Sequence, residues 1–279
     1  MVANERHILG LSGGRDSAAL AVFMRQYKPY LSLEYFFTDT GKELPEVYEF
    51  LDRLEGFLGR PIVRLNPDRD FDFWLAEYGH FLPSPRTRWC TRQLKIRPFE
   101  QWLRDDLDAG AVIHSYVAIR SDEPSREGYQ STHPNMHVHL PLRDAGIDRQ
   151  GVIELLRDTD IGEPAYYAWR SRSGCTFCFY QQKIEWVRLL EHHPDEFEAA
   201  KAYEKLARDH GSPFTWSQGE SLEELAKPER IRVIQIDHER RLQRYLKRRP
   251  KNPLAMDSIL DPEDLYGPIA ESSCLICHK

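Results

Sequence analysis

A short apolar strand that runs straight into a glycine turn and then into a helix is the feature that most constrains this chain. His7-Ile8-Leu9-Gly10-Leu11 has the apolar density of a buried strand, and Ser12-Gly13-Gly14-Arg15-Asp16-Ser17 follows at once. Ala18, Ala19, Leu20, Val22, Phe23 and Met24 then give an apolar-rich helix with polar Arg25 and Gln26 near its end. The same alternation recurs. Residues 31–37 read as a second strand, ending at Thr38-Asp39-Thr40-Gly41. Val47, Phe50, Leu51, Leu54 and Leu58 keep helical spacing up to Gly59, and Ile62-Val63-Arg64-Leu65 reads as a third strand. Residues 94–107 predict a helix broken early by Pro98, and 111–119 predict a fourth strand. Strands and helices in alternation imply βαβ units, and therefore an α/β fold with a mainly parallel sheet.

Beyond about residue 170 the pattern becomes helical, with segments expected at 185–190, 196–209, 222–226 and 228–246. The expected organisation is an α/β domain over 1–170, whose nucleotide-binding character follows from its glycine turn, and a helical module over 171–279 that holds two CxxC pairs. Apolar residues make up 41% of the 279 and charged residues 29%, which suits a folded chain with a sizeable core and argues against disorder. No apolar run is long enough to cross a bilayer, and the first residues lack the apolar core of an export signal, so a cytoplasmic protein with no membrane partner is expected. The formal charge of −6 excludes a uniformly basic coat. It is unevenly spread, however. Residues 227–251 carry ten Lys/Arg against three Asp/Glu, a segment suited to a polyanion such as DNA or, alternatively, to a solvated helix face.

The turn at 12–17 carries the chemistry. Two glycines let successive N–H groups converge into an anion nest, and the helix behind them aims its own unpaired N–H groups at the same point. Ser12 and Ser17 add hydroxyl donors, and Arg15 adds charge. A pyrophosphate would satisfy such a set of donors, whereas the GK[ST] ending of a Walker A loop is missing.

Ser12-Gly13-Gly14-Arg15-Asp16-Ser17 resembles the SGGxDS signature of the PP-loop ATP pyrophosphatases, which have the adenine nucleotide α-hydrolase-like fold. Four further segments, in order, are similar to the phosphoadenylyl-sulfate (PAPS) reductase family. They are Thr38-Asp39-Thr40-Gly41 with Leu44-Pro45-Glu46-Val47, Cys90 to Pro98, Ile119-Arg120-Ser121-Asp122-Glu123-Pro124-Ser125-Arg126, and His139-Leu140-Pro141-Leu142. The resemblance covers roughly residues 7–180. It implies a parallel sheet with helices on both faces, with ATP and Mg²⁺ as cofactors and cleavage between the α- and β-phosphates. Ser12, Gly13, Gly14, Arg15, Asp16 and Ser17 would cradle the phosphates, and Asp16 would lie beside magnesium.

The reductases of this family generally lack the Asp-Ser pair, so Asp16 and Ser17 favour intact ATP. The Arg88-Trp89-Cys90-Thr91 stretch further resembles the DNA phosphorothioation sulfurtransferase branch. That resemblance implies a DNA backbone phosphate as acceptor, with a cysteine desulfurase or another sulfur donor as partner. Bringing two anions together requires cations between them. Arg92, Lys95, Arg120 and Arg126 are the candidates, with Asp39 and Thr40 at the end of the second strand as further ligand residues. Reduction of adenylyl sulfate, tRNA thiolation and a catalytically silent nucleotide-binding partner are the alternative readings.

Four of the five cysteines form Cys175-x-x-Cys178 and Cys274-x-x-Cys277. Two such pairs suit tetrahedral Zn²⁺ or a [4Fe–4S] cluster equally. The resemblance adds Cys90 as an alternative ligand. A cysteine left over is placed to carry sulfur as a persulfide, a role that requires a thiolate of lowered pKa. Arg88 and Arg92 favour Cys90 for it, and a terminal position favours Cys277. Phe214-Thr215-Trp216-Ser217 reads as a turn capping the core, with stacking on a base as the alternative.

Overall fold

A computed structural model of the chain describes residues 5–128, 131, 133–217 and 219–248. Of these, 5–74 and 88–165 form one compact unit, and 75–87 and 166–248 form a second. Cys274, Cys277 and residues 249–251 of the basic segment lie outside the described residues.

The first unit is built on five parallel strands: β1 (Glu5–Leu11), β2 (Leu33–Thr38), β3 (Ile62–Leu65), β4 (Val112–Tyr116) and β5 (Met136–His139). Their order is β3-β2-β1-β4-β5. Helices α1 (Arg15–Tyr27) and α2 (Pro45–Leu58) connect β1 to β2 and β2 to β3, stepping outward in one direction. The chain then returns through α3 (Phe71–Glu77), α4 (Trp89–Thr91) and α5 (Arg97–Asp108) to β4, on the other side of β1. Right-handed crossovers in opposite directions place α1 and α2 on one face of the sheet and α5 on the other. Phe99 and Leu103 of α5 pack there with Ile8, Phe36, Ile113 and Met136 from four strands. α6 (Pro141–Asp144) and α7 (Arg149–Arg157) complete the unit, and α7 packs beside α1. The α/β class and the helix-covered parallel sheet agree with the reading of the sequence.

Two local differences bear on the site. The apolar run 111–119 gives a strand of only five residues, because pairing with β1 ends at Leu9↔Tyr116 and pairing with β5 at Tyr116↔His139. Val117, Ala118 and Ile119 are apolar because they are buried in the loop beyond the ladder. The helix expected from residue 94 starts earlier, at Trp89, and passes through a π turn over Arg92–Ile96 before α5. Pro98 has no N–H to donate one turn back, and the wider π register accommodates that loss.

The second unit is helical: α8 (Lys183–His192), α9 (Pro194–Asp209), α10 (Leu222–Leu225) and α11 (Pro228–Arg248). Pro194 separates the first two, as its position after His192-His193 implies. Buried Glu204 holds the unit's long turn by accepting the backbone N–H groups of Trp216 at 2.8 Å and Leu222 at 2.7 Å. Residues 75–87 belong to this unit, although they precede α4 in the chain. No helix among the described residues is long and apolar enough to cross a membrane.

Candidate functional site

Strand order reverses at β1, since β2 and β4 lie on either side of it and the two connections run opposite ways. Open α/β sheets collect ligands in the crevice outside the carboxyl ends of the strands at such a point. The carboxyl ends of β2, β1 and β4 lie side by side, with Leu11 opposite Phe37 and Leu9 opposite Tyr116. They bring together the loops that contain Asp39 and Thr40, Ser12 to Ser17, and Arg120 to Arg126.

The middle loop is knitted by its two serines. Ser17 Oγ lies 3.1 Å from Ser12 Oγ, accepts the Ser12 N–H at 3.1 Å and donates to the Gly14 carbonyl at 3.1 Å. Ser12 Oγ in turn accepts the Gly14 N–H at 3.2 Å. Gly13 sits at φ 70°, and a Cβ there would stand 2.5 Å from Val47 Cγ1. Only glycine satisfies both that left-handed backbone and the close approach of α2. The loop is thus a rigid bend behind which α1 directs its first-turn N–H groups into the crevice.

Asp16 and Arg120 meet at 3.2 Å, each only 4% exposed. Arg120 is further held by Asp122, whose Oδ1 accepts from Nε at 2.9 Å, and its backbone N–H donates to Glu123 Oε2 at 3.3 Å. Burial alone would lower the proton affinity of Arg120, but Asp16, Asp122 and Glu123 outweigh it and leave a permanently charged guanidinium. Glu123 Oε1 accepts from Arg126 at 2.9 Å, and Arg143 Nη2 donates to the Glu123 and Arg126 carbonyls, each at 2.6 Å. One carboxylate therefore organises two of the arginines expected at the site, Arg120 and Arg126. Asp122, Glu123 and Arg143 were not singled out from the sequence. The signal for the first two was their adjacency to Arg120, since a cation in a buried crevice needs partners.

At the end of β2, Asp39 Oδ1 accepts the Gly41 N–H at 2.8 Å and the Tyr48 hydroxyl at 2.7 Å. Burial and this bond push the Tyr48 pKa well up. Thr40 Oγ1 donates to Glu43 at 3.1 Å, and Lys95 Nζ lies 3.6 Å from the same Glu43 oxygen. Lys95 thus reaches the β2 loop from the π turn, which also carries exposed Arg92. Half-buried Cys90 lies on α4, just before that turn. Arg15, expected to add charge toward a phosphate, is buried and paired with Glu163 at 3.3 Å.

Residues 6–142 match the family model described as Phosphoadenosine phosphosulfate reductase domain. The chain carries a PAPS reductase domain. Its glycine loop, β2 loop and Arg120 loop all fall inside the matched residues. Among characterised and uncharacterised sequences, the chain is 28% identical over 147 residues to "Uncharacterized nin region protein ORF290" of Escherichia phage lambda, covering 43% of this chain and 50% of that protein. It therefore spans about half the length of that relative. It is 22% identical over 262 residues to "Uncharacterized 37.8 kDa protein in gpa 5'region" of Escherichia phage 186, covering 72% of this chain and 75% of that protein. Among solved structures, a phosphate complex of PAPS reductase from Candida auris is similar at TM-score 0.47 and 14% identity, over 61% of this chain and 81% of that one. The U34-tRNA thiolase NcsA from Methanococcus maripaludis, solved with its [4Fe-4S] cluster, is similar at TM-score 0.40 and 14% identity, over 74% of this chain and 72% of that one.

In the second unit the first CxxC pair forms a tight turn. The Cys178 N–H donates to the Cys175 carbonyl at 3.2 Å, and both thiols are half-buried and free of disulfides. Buried Arg170 braces the turn by donating to the Gly174 and Cys175 carbonyls at 3.2 and 2.7 Å. Two thiols on such a turn fit one half of a thiolate metal site. Among the described residues no cluster of three or more His, Cys, Asp or Glu is placed to hold a metal. The other expected half, Cys274 and Cys277, lies outside them.

Proposed function

We propose that the PAPS reductase domain cleaves ATP between its α- and β-phosphates and transfers the adenylyl group to a phosphate of a nucleic acid, activating it for sulfur transfer. The observation that carries this reading is the bend at Ser12–Ser17, rigid through Gly13 and its serines, with buried Asp16 on the first turn of α1 at the reversal of strand order. The first-turn N–H groups of α1, aimed by that bend, would hold the β- and γ-phosphates, and the Ser12 and Gly14 N–H groups would exchange their serine partners for phosphate oxygens. Asp16 would lie beside Mg²⁺, which supplies charge neutralisation on the leaving pyrophosphate. Arg120, kept charged by three carboxylates, and Lys95 would hold the approaching anions apart from solvent. An acceptor oxygen attacks the α-phosphorus, the bond to the β-phosphate oxygen breaks, and pyrophosphate leaves with the electron pair.

In the second half, a persulfide on Cys90 would attack the activated phosphorus and displace AMP. An external thiol would then reduce the resulting phosphoryl disulfide and leave sulfur on the acceptor. Cys175 and Cys178, with Cys274 and Cys277, would hold Zn²⁺ or a [4Fe–4S] cluster that braces the second unit. DNA is the proposed acceptor, supported by exposed Arg232, Arg240, Arg241, Arg244 and Lys247 on α11. The family match favours a second reading, reduction of adenylyl sulfate, which releases sulfite without consuming ATP.

The two are separated by incubating the protein with ATP, Mg²⁺, DNA, a thiol and a cysteine desulfurase with cysteine as the sulfane-sulfur donor, and in parallel with adenylyl sulfate and the thiol. Release of AMP and pyrophosphate, lost in Asp16→Asn, is expected. Sulfite from adenylyl sulfate, with no pyrophosphate from ATP, would replace the first reading by the second.

A further inference from the structure

The second unit contains a groove of about 820 Å³ for which the nucleotide reading has no use. Its lining includes Pro83, Arg86, Phe179, Arg208, Phe214 and Glu220. The turn expected to cap the core splits its two aromatic residues between two tasks. Trp216 is 3% exposed, donates its indole N–H to the Ala200 carbonyl at 2.9 Å, and packs with Phe177 and Trp186. Phe214, two residues earlier, is 51% exposed. A second ring from a distant segment joins it: Phe81, 41% exposed, with its centroid 6.3 Å away. Phe81 follows two successive left-handed residues, Gly79 at φ 62° and His80 at φ 61°. A non-glycine residue rarely adopts that backbone, and such outliers concentrate at binding sites. The His80 ring packs tilted against His210, with centroids 3.9 Å apart, and this contact braces the turn that presents Phe81.

Two arginines, Arg86 and Arg208, line the groove and suit the phosphates of a nucleic-acid chain. Arg86 is exposed, and Arg208 is exposed and paired with Glu223 at 3.7 Å, an interaction worth little in water. The carboxylates in the lining are already engaged. Glu220 is held by Lys183 at 2.7 Å and by Arg230, and its pKa is held down to about 2, chiefly by Arg230. Glu224 accepts the Ser221 N–H and hydroxyl at 3.0 Å each. Arg230 also ties the groove to the start of α11, whose 21 residues run on for about 30 Å with cations exposed along them.

We infer that this groove binds an unpaired stretch of nucleic acid, with a base stacked on Phe214 and flanking phosphates at Arg86 and Arg208. Stacking platforms of exposed aromatic rings beside arginines bind single strands with little regard to sequence, because every base has a π-face. A base inside a duplex is already stacked on its neighbours and offers no free face. The inference rests on the nucleic-acid acceptor proposed above and adds that the acceptor strand is unpaired at the protein.

The test is fluorescence anisotropy of the full chain, without ATP, against a fluorescein-labelled oligothymidylate and its duplex with oligoadenylate. The single strand should bind more tightly than the duplex. Phe214→Ala should weaken single-strand binding about tenfold, and Phe214→Trp should restore it. Arg86→Gln with Arg208→Gln should reduce the slope of log affinity against log salt by about 1.4. Thermal melting of Phe214→Ala at the wild-type temperature would show that the loss is local. Equal binding of strand and duplex, or Phe214→Ala binding as the wild type does, would overturn the inference. Because no ATP is present, such a failure is distinct from failure of the pyrophosphate assay, which would instead remove the activity and leave the groove intact.

Discussion

Replacing Gly13 with alanine tests whether the phosphate bend is enforced by its surroundings. Two costs can be read from the structure. At φ 70° an L residue enters the left-handed region, at about 1–2 kcal/mol. The new Cβ would also lie 2.5 Å from Val47 Cγ1, and Val47 is fully buried on α2, so the helix or the loop must shift, at about 1–3 kcal/mol. The total is about 2–5 kcal/mol, a fall in melting temperature on the order of 5–15 °C for a chain of this size. Val47→Ala alone should cost about 2 kcal/mol, from the buried methyl groups removed. Combined with Gly13→Ala it should relieve the steric part and leave the backbone part, so the double variant should be more stable than the sum of the singles by about 1–3 kcal/mol. Circular-dichroism melts supply the comparison, and hydrogen exchange of the α1 amides reports on the first unit alone. Strict additivity, or Gly13→Ala melting with the wild type, would refute the argument that α2 dictates the glycine.

Burial and neighbouring imidazoles lower the pKa values of His114 and His139, which lie 2.9 Å apart on β4 and β5. The unfolded chain therefore binds protons first as pH falls below about 6.5, so stability should decline from about pH 7.5 toward pH 5. His114→Gln should flatten that decline, and an unchanged slope in pH-dependent melts would contradict the assignment. Cys175→Ser should abolish bound zinc or iron in elemental analysis and lower the melting temperature, because metal binding and folding are coupled; stoichiometric metal in that variant would discard the ligand set. Neutralising Arg240, Arg241 and Arg244 together should reduce the salt dependence of DNA binding by a slope of about 2–3. An unaltered slope would return α11 to a solvated helix face.

What could be read from the sequence follows the strength of each physical signal. β1 was legible because a dense apolar run abuts two glycines, and α2 because Val47, Phe50, Leu51, Leu54 and Leu58 repeat with the helical period and are all buried. The glycine bend was legible for the same reason, since its backbone demands are written directly in residue type. The end of β4 was not, because burial alone makes Val117 to Ile119 apolar, and hydropathy cannot distinguish a buried loop from a strand. Asp122, Glu123 and Arg143 were missed because loop carboxylates and arginines carry no periodicity, and their function exists only once Arg120 is buried beside Asp16. Arg15 shows the converse. Its place in the motif suggested a phosphate cation, yet the fold buries it against Glu163. Residues 75–87 gave no warning that they pack with the helical unit. Their contacts are with segments more than a hundred positions later in the chain, such as His210 and Phe214.

The most direct test of the account is a crystal structure with Mg²⁺ and an ATP analogue whose α,β-bridge cannot be cleaved. The account predicts the β- and γ-phosphates on the Ser12–Ser17 backbone, with Asp16 turned from Arg120 toward the metal. Nucleotide bound elsewhere, with that bend empty and the Asp16–Arg120 pair intact, would contradict it.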